Sequence, residues 1–139
     1  MKIGAITIGQ APRTDVTSDI MDIFDGKVEL LQRGGLDGLT RDQIAAFQPE
    51  EGDYVLVSRL LDGSSVTFAE RYILPRLQEA IHELEDQGVR LIVFFCTGKF
   101  PASLTAKVPL IYPCDILDRV VPLLSKTSDI ITVTPSPLH

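Results

Sequence analysis

A chain of 139 residues is the size of one domain, and its 45% hydrophobic and 23% charged residues give the balance of a globular protein rather than a disordered or fibrous one. A formal charge of -6 with no cluster of Lys or Arg excludes the basic face that nucleic-acid phosphates require, and no window approaches the run of about 20 apolar residues that spans a bilayer. Two cysteines, Cys96 and Cys114, are too few for a disulfide scaffold, so both are expected as free thiols in a soluble, cytoplasmic protein.

Along the chain, short β-branched runs alternate with helical stretches, the pattern of crossover units around a buried parallel sheet. Residues 2–7 are the first strand; the chain enters it directly, without the long apolar region and cleavage site of a signal peptide. Gly9-Gln10-Ala11-Pro12 breaks that strand, and residues 13–24 follow as a helix with Val16, Ile20, Met21 and Phe24 at helical spacing and Pro12 suited to its first turn. Residues 27–32 are a second strand closed by Gly34 and Gly35, after which Thr40 caps a short helix through Ala46 that Pro49 ends.

Residues 54–57 read as the third strand, and residues 58–66 as a loop or small hairpin around Asp62-Gly63 that leaves an arm beside the sheet. The longest helix is expected over residues 68–87, with Ile73, Leu74, Leu77, Ile81 and Leu84 on one face and Gly88 as its stop. Residues 90–95 form an unbroken apolar strand of the kind buried on both faces, with Cys96-Thr97-Gly98 at its carboxyl end. A short strand at 108–112, a helix at 115–124 and a last strand at 129–133 complete a single α/β domain over residues 1–139, with no repeat and no linker.

In an open α/β sheet ligands bind outside the carboxyl ends of the strands, which singles out three groups of residues. The first strand delivers Thr7, Gly9, Gln10 and Arg13; the third delivers Ser58 and Arg59; the apolar strand delivers Cys96, Thr97 and Lys99. The turn from Gly9 into a helix offers N–H groups and a positive dipole end to an anion, and Arg13 adds a bidentate fork for a carboxylate; the alternative is an ordinary turn with Arg13 paired to a nearby Asp. Arg59 either clamps the same ligand or is a surface arginine.

Cys96 is the candidate nucleophile or general base, its thiol expected to be lowered in pKa by the N–H groups that follow and by Lys99; the alternative is a buried, inert cysteine. Cys114, just after Pro113, reads as packing. His82 and His139 have no spaced partners, so no metal set is expected, and the absence of GxGxxG, GxxxxGK[ST] and GxSxG leaves no indicated cofactor.

The segment Thr7-Ile8-Gly9-Gln10-Ala11-Pro12-Arg13, the stretch Ser58-Arg59-Leu60-Leu61-Asp62-Gly63 and the end Cys96-Thr97-Gly98 together resemble the AroM family, which is similar to the aspartate/glutamate racemase group. That resemblance implies a three-layer sandwich with a mostly parallel sheet, one of two similar halves that each contribute a cysteine to a site between them. By position, Cys96 matches the cysteine of the first half, Thr7 and Gly9 match the first-strand substrate loop, and Thr97 matches the neighbour that holds a substrate carboxylate. The second half's cysteine has no match here. The chain is then a piece of a longer protein, or a partner chain supplies the opposite wall, or no two-base reaction occurs.

These readings converge on a cofactor-independent racemase or isomerase acting on a small carboxylate, with Cys96 as thiolate and with Thr7, Gly9, Gln10, Arg13, Arg59 and Thr97 around the substrate. The alternative is a non-catalytic carboxylate-binding or regulatory domain. An uncovered face where a second half would dock further suggests a homodimer.

Overall fold

The computed structural model describes residues 1–124. Its centre is a parallel sheet of four strands in the order β2-β1-β5-β6, formed by β1 (Lys2–Thr7), β2 (Glu29–Gly34), β5 (Ile92–Phe94) and β6 (Leu110–Ile111). β1 is a central strand, paired from Lys2 opposite Glu29 to Thr7 opposite Gly34 on one side and through Gly4, Ala5 and Ile6 to β5 on the other. With neighbours on both edges and layers on both faces, all its residues after Lys2 are buried, which explains its unbroken apolar run.

Residues 54–57 do not enter that sheet as a third parallel strand. β3 (Val55–Arg59) turns back through Asp62-Gly63 and pairs antiparallel with β4 (Ser65–Ala69), from Val55 opposite Ala69 to Arg59 opposite Ser65. The turn closes with Leu60 N–H on the Ser64 carbonyl at 2.8 Å, and Gly63 takes the left-handed φ of +84° that a side chain would resist. Phe68 and Ala69 therefore belong to a strand rather than to the following helix. The Val66-Thr67-Phe68 run favours extended backbone, and Phe68 is wholly buried there.

Four helices surround the strands: α1 (Thr14–Met21), α2 (Arg41–Ala45), α3 (Glu70–Asp86) and α4 (Pro113–Leu124). α2 opens with a full capping box between Thr40 and Gln43. α3 lays Ile73, Leu77, Ala80, Ile81 and Leu84 into the core and ends before Gly88, as its apolar stripe predicts. α4 begins at Pro113, two residues earlier than the pattern suggests, because proline suits the first helical position.

α1 departs from expectation. It stops at Met21 and passes into a 3-10 turn at Asp22–Phe24, and its one buried residue is Thr17, not the apolar stripe. Pro12 stands ahead of the helix, after a cis Ala11–Pro12 bond, and Arg13 is the N-cap.

One core joins sheet, arm and α3: Ile6, Ile92 and Phe94 from the sheet meet Leu56, Leu60 and Phe68 from the arm and Leu77 from α3. That shared core fixes the arm above the carboxyl end of β1. Among the described residues no helix is long and apolar enough to cross a membrane. The strand expected at 129–133 lies outside the described residues.

Candidate functional site

The carboxyl ends of β1 and β5, the arm and the start of α1 enclose a cleft of about 690 Å³. Thr7, Arg13, Arg59, Cys96 and Thr97 all line it, so three separated segments of sequence meet in one hollow. Gly9 and Gln10 do not line the cleft; they stand behind its wall and hold the arm in place.

At Gly9 an added Cβ would overlap the Ser58 hydroxyl and come within 2.9 Å of the Arg59 carbonyl oxygen, so glycine permits the arm's close approach. The Gln10 side-chain oxygen accepts the Leu61 N–H at 3.0 Å, tying the first loop to the arm beyond Arg59. Thr7, 3% exposed, accepts the Gly9 N–H on its hydroxyl at 3.3 Å. These contacts set the height of Arg59 over the cleft.

The two lining cations differ. Arg13 is closed by its own neighbour: Nε donates to Asp15 Oδ1 at 2.8 Å and an Nη donates to Asp15 Oδ2 at 2.7 Å. The hydrogen-bonded guanidinium holds the Asp15 carboxyl below its usual range, and the carboxylate in turn keeps Arg13 firmly charged. Arg59 is exposed, and its side chain makes no hydrogen bond or ion pair among the described residues, although its charge reaches Asp15. It is the cation available to a ligand.

The Cys96 thiol is half-buried, and that burial pushes its pKa up; the Gly98 N–H, 3.4 Å from the sulfur, opposes the shift without cancelling it. This corrects the expectation of a lowered thiol. Lys99, expected to help, instead pairs with Asp118 on α4 at 2.9 Å. Cys114 is buried in the first turn of α4, and both cysteines are free thiols. The sulfur of Cys96 therefore stands in the cleft mainly as a neutral thiol.

Sequence reasoning missed two further contributors. Asp37 accepts the Ala11 N–H at 2.8 Å and the Gly34 N–H at 2.7 Å, so one carboxylate ties the loop after β1 to the end of β2. The Gly34-Gly35-Leu36-Asp37 pattern, with a short acid just after a glycine pair, is the signal that could have marked it. Val16 and Ile20, spaced for a core face, line the cleft instead, with Val16 still 37% exposed.

Fold and site define an α/β protein with a parallel sheet and, at the carboxyl edge of that sheet, a cleft holding a thiol and an arginine unpaired among the described residues. The family described as AroM protein matches residues 3–139, and the chain belongs to it. No curated protein and no solved structure matches the chain.

Proposed function

We propose that this AroM chain binds a small carboxylate in the cleft and, as an isomerase or racemase does, moves a proton at the carbon beside that carboxylate without a cofactor. The observation that carries the reading is the presence of Arg59, unpaired among the described residues, in the same hollow as the Cys96 thiol. A guanidinium neutralises the charge that builds on a carboxylate as its neighbouring carbon loses a proton, where water alone would stabilise it poorly. Thr97, which lines the same cleft as Thr7, supports a role in orienting the substrate, and in this reading the sulfur is the proton carrier.

The raised thiol has a consequence for mechanism. As a neutral thiol Cys96 is a proton donor, and the accepting direction draws on its minority thiolate, so turnover should climb with pH through the alkaline range. The test is hydrogen–deuterium exchange at the carbon next to the carboxylate, followed by proton NMR in D2O with acids that bind. Exchange that vanishes in Cys96→Ala supports the proposal. Exchange that persists in that variant, or bound acids that never exchange, would end the catalytic reading.

The raised thiol also favours a second reading, a non-catalytic domain that senses a carboxylate metabolite, because a neutral half-buried thiol is a weak nucleophile. Binding that depends on Arg59 but leaves every substrate proton in place is the result that reading expects.

A further inference from the structure

Resting on the carboxylate-binding reading above, we infer that the cleft selects a monocarboxylate with an apolar or aromatic body and no amino group, rather than a dicarboxylate or an α-amino acid. The first step is a charge count. Arg13 and Asp15 neutralise each other through two hydrogen bonds, which leaves Arg59 as one uncompensated positive charge on the lining. One guanidinium fork matches one carboxylate.

The second step is the chemistry of the remaining wall. Val16, Ile20, Val57, Val93, Phe95 and Pro113 line the cleft around the polar group. A second carboxylate placed against these apolar side chains would lose its hydration and find no second unpaired cation among the described lining residues to compensate its charge. An apolar group placed there would instead leave water and gain contact with exposed aliphatic surface, of which Val16 at 37% exposure is a direct measure.

The third step concerns the ammonium of an amino acid. Among the described residues no Asp or Glu lines the cleft, and both oxygens of Asp15 are held by Arg13. An ammonium there would face the uncompensated Arg59 charge with no free side-chain anion among the described residues to receive it, so the site works against zwitterions. Val16 and Ile20 of α1 lie on the cleft rather than in the core, and the same ligand gives them a role as part of its hydrophobic wall.

Titration calorimetry on the full chain decides the matter with five probes: 2-phenylpropionate, phenylsuccinate, phenylalanine, 2-phenylpropionamide and propionate. The expected result is that 2-phenylpropionate binds at least about tenfold tighter than each of the others, since each of the others lacks the charge, lacks the body, or adds a charge that the wall leaves unpaired. Arg59→Gln should abolish that preference over the amide, and Ile20→Gln should remove the preference over propionate; circular dichroism confirms that both variants are folded. If phenylsuccinate or phenylalanine binds as tightly as 2-phenylpropionate, and binding still requires Arg59, the selectivity falls and the carboxylate reading stands. If no carboxylate binds, or Arg59→Gln changes nothing, both fall together.

Discussion

Gly9 shows how much of this site depends on a missing atom. Its Cβ position is occupied by the Ser58 hydroxyl and the Arg59 carbonyl, both backed by a buried strand that cannot yield easily. Gly9→Ala should cost about 1–3 kcal/mol through overpacking, read by urea unfolding, and should also weaken ligand binding by displacing Arg59. Cys96 carries the second residue-scale prediction. Because burial raises its pKa, the folded chain holds the thiol proton more tightly than the unfolded chain does. The stabilisation is therefore complete below the ordinary thiol range and is lost as pH rises beyond it through the raised folded value, and alkylation of Cys96 by iodoacetamide should still be accelerating at pH values where a small free thiol has levelled off. A plateau at or below the free thiol's own would overturn this.

At the scale of elements, the arm is held by its turn as well as by its core residues. Asp62 accepts the Ser64 N–H at 2.9 Å and the Ser64 hydroxyl at 2.6 Å and pairs with Arg41 from α2, which together bring its carboxyl down to about 2. A depressed acid stabilises the fold above its unfolded pKa and loses that effect as pH falls toward the folded value. The carboxyl carbon of Asp62 should accordingly titrate near 2 by NMR, and in the Ser64→Ala variant it should titrate higher. The loop after β2 is held differently, by Asp37. Asp37→Ala removes two charge-assisted hydrogen bonds to backbone N–H groups and should destabilise by about 2 kcal/mol, with Asp37→Asn losing less because one acceptor oxygen remains. Equal stability of all three proteins would show that the loop needs no such tie.

Across the whole molecule the two sheets act as one body because Leu56, Leu60 and Phe68 of the arm share a core with Ile6, Ile92 and Phe94. Arg76 adds a polar tie from α3, donating to the carbonyl oxygens of Gly35 and Asp37. α4 carries an uncovered apolar row among the described residues, where Ile116, Leu117, Val120, Leu123 and Leu124 are 40% or more exposed. The homodimer expected from the sequence would bury this row against a second copy. Sedimentation velocity should then show a coefficient that rises with concentration in the parent chain and not in Leu123→Lys; a single monomeric species at all concentrations would remove the dimer.

Local chemistry was enough to establish the α/β class, the central apolar strand, the buried face of α3, the Thr40 cap and the turn at Asp62-Gly63, because each is decided by periodicity or by backbone preference within a few residues. The sequence also named six residues that share the cleft, Thr7, Arg13, Ser58, Arg59, Cys96 and Thr97, through the rule that ligands gather at strand carboxyl ends. Only the tertiary structure decided that Arg13 is closed by Asp15 while Arg59 stays open, that Gly9 and Gln10 hold the arm rather than line the cleft, and that the Cys96 thiol shifts upward. It likewise set Val16 and Ile20 of α1 on the cleft. Each of these depends on which distant segment lies across from a residue, and an ion pair or a degree of burial is a property of two surfaces that a periodic pattern along one of them does not contain.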